Sequence, residues 1–236
     1  MKDAVIHRWI MEKYKIVFCG MTKEDEPCGE AMVDDAFVEM SSDTNCCNKA
    51  LKGRFTSCFI YDIKDQLPEG SIAEFGVYKG GITKFMSSCF PDRTVYAFDT
   101  FEGMPSEMTS DKDHRKMKVP NIFNDVENVF EYLDEPNIEV KKGLFPDTTI
   151  GLEDETFALV HLDVDLYEST LAGLEFFWTR MAEGGVMILD DFEYVNTPGV
   201  RMAFDDYFGE DHPEIKTLLK EALSDKSHIA SIKKTL

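Results

Sequence analysis

The sequence predicts an α/β fold: a doubly wound, mostly parallel sheet with an N-terminal helical extension. From about residue 69 onwards, short apolar segments alternate with segments of helical periodicity. The apolar segments are almost continuously hydrophobic, as expected of parallel strands that are buried on both faces. Glycine-rich and acidic motifs follow these segments directly, at the sheet edge where such folds bind their ligands.

The first 68 residues are predicted to form a separate helical and loop extension. Apolar residues from Val5 to Ile10 suggest a short amphipathic helix, and residues 20–46 are polar and acidic, as in a loop. Apolar residues then recur at three- and four-residue spacing from Leu51 to Ile63. This pattern predicts a helix that ends before Pro68.

Residues 69–236 are predicted to form the main domain. Strands are expected at 71–77, 94–99, 138–141, 157–163, 186–189 and 229–233. Helices are expected at 83–90, 125–133, 167–181 and 199–208. Gly184 and Gly185 suggest a turn before the fifth strand. Residues 105–120 are charged and lack periodicity, so we expect a mobile surface loop there.

Composition narrows the class of protein. The 236 residues carry 25 Lys and Arg against 45 Asp and Glu, a net charge of −20, which argues against binding to nucleic acid or an anionic membrane. No apolar run is long enough to span a membrane, and the charged N-terminus does not resemble a signal peptide. The six cysteines lack zinc-site spacing, which argues against a zinc site. An even number of cysteines in a chain of this size, without a signal peptide, predicts reduced thiols and a cytoplasmic location.

Two motifs suggest a nucleoside site. The segment from Glu74 to Gly81, E-F-G-V-Y-K-G-G, ends the first strand with glycines that would let the backbone approach a ligand. Its spacing is not the G-x-G-x-x-G of dinucleotide enzymes, and it suits a ligand without pyrophosphate, such as S-adenosylmethionine. Asp99 follows Gly76 by 23 positions. An acidic side chain at about this distance commonly accepts hydrogen bonds from the ribose hydroxyls of a bound nucleoside. A ligand-free tight turn and a capping role for Asp99 are the alternatives.

Acidic residues end the next two strands. In H-L-D-V-D-L-Y-E-S-T, extended geometry would place His161, Asp163 and Asp165 on one face. In M-I-L-D-D-F, Asp190 and Asp191 end the neighbouring strand. Clustered carboxylates repel one another unless a cation neutralises them, and oxygen ligands suit Mg²⁺ or Ca²⁺. The alternatives are that Asp165 caps a helix and that the paired aspartates are solvated. His114, in the charged loop, is a further candidate base.

Together with F-D-T-F-E-G-M-P, these motifs occur in an order that resembles the macrocin O-methyltransferase (TylF-type) family. The resemblance spans about residues 70–208. It implies a class I methyltransferase, Rossmann-like fold with S-adenosylmethionine and Mg²⁺. It implies that Asp163, Asp190 and Asp191 hold the metal, that Asp165 is the general base, and that a loop histidine such as His114 can serve as a base. Glu74, Gly76, Gly80, Gly81, Asp99 and Asp163 would line the cofactor site.

The resemblance implies an enzyme of natural product biosynthesis that methylates a sugar hydroxyl on a small glycosylated acceptor. It also implies a homo-oligomer to which the N-terminal extension contributes. A catechol-type O-methyltransferase would use the same cofactor and metal on an aromatic diol. A non-catalytic protein that binds the cofactor or a cation is another alternative. A nicotinamide oxidoreductase shares the sheet but lacks support from the glycine spacing.

Overall fold

A computed structural model describes residues 56–57, 59–113, 126–209, 213–217 and 229–235. The chain divides into two compact units, Met1–Cys58 and Phe59–Leu236, and the second is described below. Nearly all of the predicted N-terminal extension lies outside the described residues, so its boundary at residue 68 stays a prediction. Residues 59–63 are helical and lead into a 3₁₀ turn, Lys64–Gln66, as the apolar spacing before Pro68 predicts.

The second unit is built on one sheet of seven strands. In chain order the strands are β1 Ser71–Phe75, β2 Val95–Asp99, β3 Ile138–Lys142, β4 Phe157–Leu162, β5 Met181–Leu189, β6 Ile215–Thr217 and β7 Ala230–Lys233. Their spatial order is β3-β2-β1-β4-β5-β7-β6. Strands β1 to β5 are parallel to one another, and β7 is antiparallel to both β5 and β6. This arrangement confirms the predicted doubly wound, mostly parallel sheet.

The strand order reverses between β1 and β4, which pair directly along the centre of the sheet. Glu74 lies opposite His161, and Phe75 lies opposite Leu162. In open α/β sheets a crevice forms at the carboxyl ends of the strands where the order reverses. The ends of β1 and β4 therefore define the expected ligand edge.

Four α-helices accompany the sheet in the described residues: α1 Gly81–Cys89, α2 Val126–Tyr132, α3 Tyr167–Gly173 and α4 Pro198–Phe208. A π-helical segment, Leu174–Trp178, continues α3. Phe98 from β2 packs edge-to-face against Phe145 and against Phe177 of the π-helical segment, each at 5.6 Å between ring centroids. This aromatic core explains why β2 and β4 read as continuous apolar runs.

The predicted turn at Gly184 and Gly185 is wrong, as is the extension of the preceding helix to Met181. Met181 already pairs with Phe157 in the sheet, and the next pair along is Val186 with Leu159. Three more residues therefore lie on β5 than on β4 between these pairs, and they form a bulge within one long strand. Gly184 occupies φ +81° in this bulge, which is why a glycine signal there resembles a turn.

β6 is absent from the sequence prediction because three residues are too few for a period-2 pattern to emerge. β5 begins five residues before its predicted start at 186. The remaining strands and the helices over 83–90, 125–133 and 199–208 are confirmed to within about two residues, the usual uncertainty at element ends. In the described part of the chain, no helix is both long and apolar enough to cross a membrane.

Candidate active site

A glycine turn joins β1 to α1 at the ligand edge. Gly76 adopts φ +93°, and its backbone N–H donates to the carbonyl of Phe98 at 2.9 Å. A Cβ on Gly76 would lie 1.9 Å from the carbonyl oxygen of Asp163. The backbone of the turn therefore contacts the backbone of the residue that follows β4, an approach so close that only glycine permits it. Gly80 and Gly81 lie at the other end of the turn, where α1 begins.

Asp99, the last residue of β2, fastens this turn to the loop after β2. One carboxylate oxygen accepts the backbone N–H of Tyr78, and the other accepts that of Phe101, both at 2.8 Å. Burial raises the pKa of Asp99, although the hydrogen bonds from Phe101 and Tyr78 act in the opposite direction. Each carboxylate oxygen has two lone pairs, so Asp99 retains acceptor capacity beside the turn. This chemistry fits the predicted contact with ribose hydroxyls.

Glu74 lies beneath the turn rather than at its surface. Its side chain is buried, with 2% exposure, and its two oxygens are bonded to Thr83 of α1 and to His161 of β4. The Nδ1 of His161 lies 2.9 Å from Glu74 Oε1. Glu74 was predicted to line the cofactor site, and in this position it would act on a cofactor through Thr83 and the start of α1. The sequence analysis did not identify Thr83, because no local sequence pattern shows that its hydroxyl lies beside the buried carboxylate of Glu74.

His161 does not share a site with Asp163 and Asp165 in the way that strand alternation predicts. It is buried, with 2% exposure, and faces Glu74 on the neighbouring strand. Burial lowers the pKa of His161, but the hydrogen bond and the charge of Glu74 outweigh it and raise the pKa to about 8. This buried hydrogen-bonded pair ties β1 to β4 directly behind the ligand edge.

Three carboxylates meet at the ends of β4 and β5. The side chains of Asp163, Asp165 and Asp191 each offer an oxygen, and these three oxygens lie within 4.8 Å of one another. Asp165 and Asp191 adopt left-handed backbone conformations, with φ of +62° and +51°. The strand ends at Leu162, so the left-handed turn brings Asp165 back toward Asp163. We call Asp163, Asp165 and Asp191 the acidic group.

Asp190 lies next to the acidic group but is not part of this set of three. The sequence placed Asp190 with Asp163 and Asp191, whereas the structure places Asp165 with them. The backbone N–H of Asp190 donates to the carbonyl of Leu162 at 2.9 Å, which continues the pairing of β5 with β4. Asp190 is buried, with 6% exposure, and its charge helps to raise the pKa of His161.

The acidic group fits a divalent cation. Three carboxylates this close repel one another, and the repulsion is strongest where burial lowers the local dielectric. Asp191 is 7% exposed, so bulk water alone cannot screen its charge. The available donors are all carboxylate oxygens, the ligands of hard ions such as Mg²⁺ and Ca²⁺. Asp163 and Asp191 project from neighbouring strand ends and could hold such an ion between them.

The loop after β2 makes specific contacts over residues 105–113, and its predicted mobility stays a prediction. It contains a 3₁₀ turn, Ser106–Met108, and Asp113 accepts the backbone N–H of Tyr167 at 2.8 Å. His114 and the remainder of this loop lie outside the described residues, so its role as a base stays a prediction. Asp113 was not identified from the sequence, because a carboxylate in a charged loop gives no signal of a contact 54 residues away.

Comparison with known proteins places this geometry in context. The family model for macrocin-O-methyltransferase (TylF) matches residues 48–221. The chain is 33% identical over 147 residues to the 8-demethyl-8-(2,3-dimethoxy-alpha-L-rhamnosyl)-tetracenomycin-C 4'-O-methyltransferase of Streptomyces olivaceus, covering 55% of each chain. It is 30% identical over 155 residues to the demethyldecarbamoylnovobiocin O-methyltransferase of Streptomyces niveus, covering 58% of each. The matches thus span little more than half the length of these curated relatives.

Solved structures show the same fold. The O-methyltransferase NovP superposes with a TM-score of 0.62 and 26% identity, covering 78% of this chain and 80% of that one. The calicheamicin methyltransferase CalS11 superposes with a TM-score of 0.60 over 98% of this chain and 92% of its own, and at 19% identity it supports the fold alone. Because the family model matches well over half of the sequence, including the glycine turn and the acidic group, this chain belongs to the macrocin-O-methyltransferase (TylF) family.

Proposed function

We propose that this protein transfers a methyl group from S-adenosylmethionine to a hydroxyl of a sugar on a glycosylated natural product, with Mg²⁺ as the metal. One observation carries the proposal: the glycine turn and the acidic group share a backbone contact, because Gly76 meets the carbonyl of Asp163. A cofactor on the turn and an acceptor at the acidic group would then be neighbours. The names of the curated relatives support a sugar-bearing acceptor, since they include a rhamnosyl compound and a novobiocin precursor.

The cofactor side of the site is assigned to the ends of β1 and β2. Gly76 and its turn would let the backbone lie close to the nucleoside, and Asp99 would accept its ribose hydroxyls. Glu74 and Thr83 would hold the turn from below through their buried hydrogen bond. Asp99 is in turn fixed by the N–H groups of the turn itself, so the binding groups are preorganised.

The acceptor side is assigned to the acidic group. When bound, S-adenosylmethionine supplies an electrophilic methyl group, and Mg²⁺ stabilises negative charge on an acceptor oxygen. Transfer forms a carbon–oxygen bond and breaks the carbon–sulfur bond, whose electron pair stays on sulfur. The hydroxyl proton must therefore pass to a group of the chain. Mg²⁺ is commonly held by one or two carboxylates together with water and substrate oxygens. Asp163 and Asp191 suffice for this purpose, and Asp165 is left to accept the proton at a carboxylate oxygen.

The proposed function is tested first by binding. We expect S-adenosylhomocysteine to bind the full chain in calorimetry with a Kd of about 1–100 μM, while NAD⁺ gives no heat. Turnover of S-adenosylmethionine is then measured with demethyldecarbamoylnovobiocin and mycinamicin III as acceptors, with catechol in parallel, in Mg²⁺ or EDTA. Binding of NAD⁺ instead of S-adenosylhomocysteine would overturn the proposal. If catechol is the only acceptor methylated, the acceptor class is an aromatic diol and not a sugar.

Asp165→Asn tests the assignment of the base. Asparagine tolerates left-handed φ values, so the turn at Asp165 should persist while the carboxylate is lost. We expect kcat to fall by about 10²–10⁴-fold, the usual contribution of general-base catalysis. The Kd for Mg²⁺ should rise far less than kcat falls, because the two proposed ligands, Asp163 and Asp191, remain. A loss of Mg²⁺ affinity as large as the loss of kcat would make Asp165 a ligand instead.

The cytoplasmic location and the homo-oligomer stay predictions. The first rests on the expectation that the cysteines are reduced, and the second on the family resemblance alone. Size-exclusion chromatography with light scattering would measure the oligomeric state of the full chain.

A further inference from the structure

A short segment after β2 crosses the fold to reach the start of α3. We call this segment, residues 106–113, the strap. The carboxylate of its last residue, Asp113, makes bonds in two directions. Oδ2 accepts the backbone N–H and the hydroxyl of Ser110, at 2.8 and 3.1 Å, which closes a turn within the strap. Oδ1 accepts the backbone N–H of Tyr167 at 2.8 Å. One side chain thus links the strap to another element 54 residues away.

The bond to Tyr167 satisfies a donor that α3 cannot satisfy itself. The first N–H groups of a helix have no partner within the helix, and a side chain at the N-cap usually accepts one of them. The N-cap of α3 is Leu166, whose side chain offers no acceptor, and it makes no side-chain cap bond. Asp113 therefore supplies the cap from a distant part of the chain, with a carboxylate that also suits the positive end of the helix dipole.

This cap lies two residues beyond Asp165. Asp165 stands in a tight turn, in which the backbone N–H of Leu166 donates to the carbonyl of Val164 at 2.6 Å. The turn has two outer anchors. On one side the backbone N–H of Asp163 donates to Phe75 of β1 at 2.9 Å, and on the other side Tyr167 donates to Asp113. The second anchor comes from the strap and sets the downstream end of the turn that presents Asp165.

Helix α4 covers the bond between Asp113 and Tyr167. A Cβ on Gly199 would lie 2.3 Å from Oδ1 of Asp113 and 2.8 Å from the backbone nitrogen of Tyr167. Any side chain at position 199 would therefore displace the carboxylate. Gly199 is itself buried, so α4 shields the bond from water and strengthens it.

Lys112 adds a second link between the strap and the same helices. Its ammonium lies 2.7 Å from Asp206 of α4, whose carboxylate also accepts the hydroxyl of Tyr167 at 2.9 Å. The ammonium lies 3.6 Å from the centroid of the Tyr167 ring. The side chains of Lys112 and Asp206 are 32% and 54% exposed, and solvent-exposed ion pairs contribute little to stability. The link through Asp113 is thus the stronger constraint.

We propose that Asp113 is a positioning residue that orients Asp165 in the acidic group by capping α3 from the strap. The effect on catalysis rests on the proposed function, whereas the existence of the cap does not depend on it. A carboxylate that must accept a proton from one acceptor oxygen needs its position held within a fraction of an ångström. Release of the cap would leave Asp163 and Asp191 in place and loosen the end of the turn that presents Asp165.

The cap is tested first in the wild-type chain by amide hydrogen exchange, which needs no activity. The first amide of an uncapped helix exchanges nearly as fast as an unfolded one. We expect the Tyr167 amide to be protected at least about 10-fold, approaching the Thr170 amide, which donates to Leu166 within the helix. An unprotected Tyr167 amide beside a protected Thr170 amide would show that the cap does not form, and would overturn the proposal.

The consequence is tested with Asp113→Ala and Asp113→Asn, with Asp111→Ala as control. Asp111 is an exposed carboxylate of the same turn, so its loss changes the charge equally. In Asp113→Ala we expect protection of Tyr167 to be lost and kcat to fall about 10-fold, while the Kd for S-adenosylhomocysteine stays unchanged. Asp113→Asn keeps an acceptor for the N–H of Tyr167 but loses the acceptor for the N–H of Ser110, so it should restore part of the protection of Tyr167 and part of kcat. Asp111→Ala should match the wild type.

Three results separate the possible failures. If Asp113→Ala loses protection at Tyr167 and kcat stays unchanged, the positioning role is wrong although the cap is real. If S-adenosylhomocysteine affinity falls with kcat, Asp113 is a general structural residue and the proposal fails. If Asp113→Ala does not fold, exchange of the Tyr167 amide in the wild-type chain still decides whether the cap forms. A wild type that binds no S-adenosylhomocysteine contradicts the proposed function alone.

Discussion

Asp191→Asn is expected to weaken Mg²⁺ binding by about 100-fold, because ligand charge sets the affinity of a divalent-ion site. Asp191 is buried and adopts φ +51°, a conformation that asparagine accepts readily. The substitution therefore removes charge and leaves the backbone unstrained. Turnover should fall by about 10³-fold at fixed Mg²⁺, as when one electrostatic contact to the reacting oxygen is lost. Calorimetric titration with Mg²⁺ and initial rates measure the two effects.

Asp190→Asn and Asp154→Asn are the comparisons for this prediction. Asp154 is exposed, lies before the start of β4 and should behave as the wild type. Asp190 is adjacent to Asp191 in sequence but outside the set of three neighbouring carboxylates. Its substitution should reduce Mg²⁺ affinity far less than that of Asp191. If Mg²⁺ affinity falls equally in Asp190→Asn and Asp191→Asn, Asp190 is a metal ligand, as the sequence predicted.

The sequence specifies the sheet because its strands are buried on both faces. Strands such as β4, in which every residue is buried, have no polar alternation, and their apolar runs end where the sheet ends. Asp99 and Asp163 mark those ends, so the ligand edge could be located from the chain alone. In a doubly wound sheet β4 and β5 are adjacent strands, so the acidic residues at their carboxyl ends were expected to lie close together.

What the sequence does not specify are contacts that depend on register and on local left-handed geometry. The pairing of Glu74 with His161 requires that these two residues lie side by side in β1 and β4, which no local pattern encodes. Asp165 joins the acidic group because its backbone turns at φ +62°. It lies beyond the end of β4, so the alternation of side chains along a strand does not predict where its carboxylate lies. Asp113 meets Tyr167 only because two loops converge on one helix end.

Gly76→Ala is expected to destabilise the fold strongly. Its Cβ would lie 1.9 Å from the carbonyl oxygen and 2.6 Å from the carbonyl carbon of Asp163, and the backbone would remain at φ +93°. Both obstructing atoms belong to the backbone, so no rotamer change can relieve the contact. We expect the free energy of unfolding to fall by about 4 kcal/mol or more, which is exceptional for a single substitution. Urea denaturation followed by circular dichroism measures it.

Gly151→Ala separates the two causes of this loss. Gly151 has a similar φ of +87°, but a Cβ there would meet nothing within 4 Å. It should therefore lose only about 1–2 kcal/mol, the cost of a left-handed non-glycine residue. Equal losses at the two positions would mean that the close approach of Gly76 to Asp163 does not exist in solution. If Gly76→Ala folds, S-adenosylhomocysteine and Mg²⁺ affinity should fall together, because one backbone contact joins the turn that would bind the cofactor to the loop that would bind the metal.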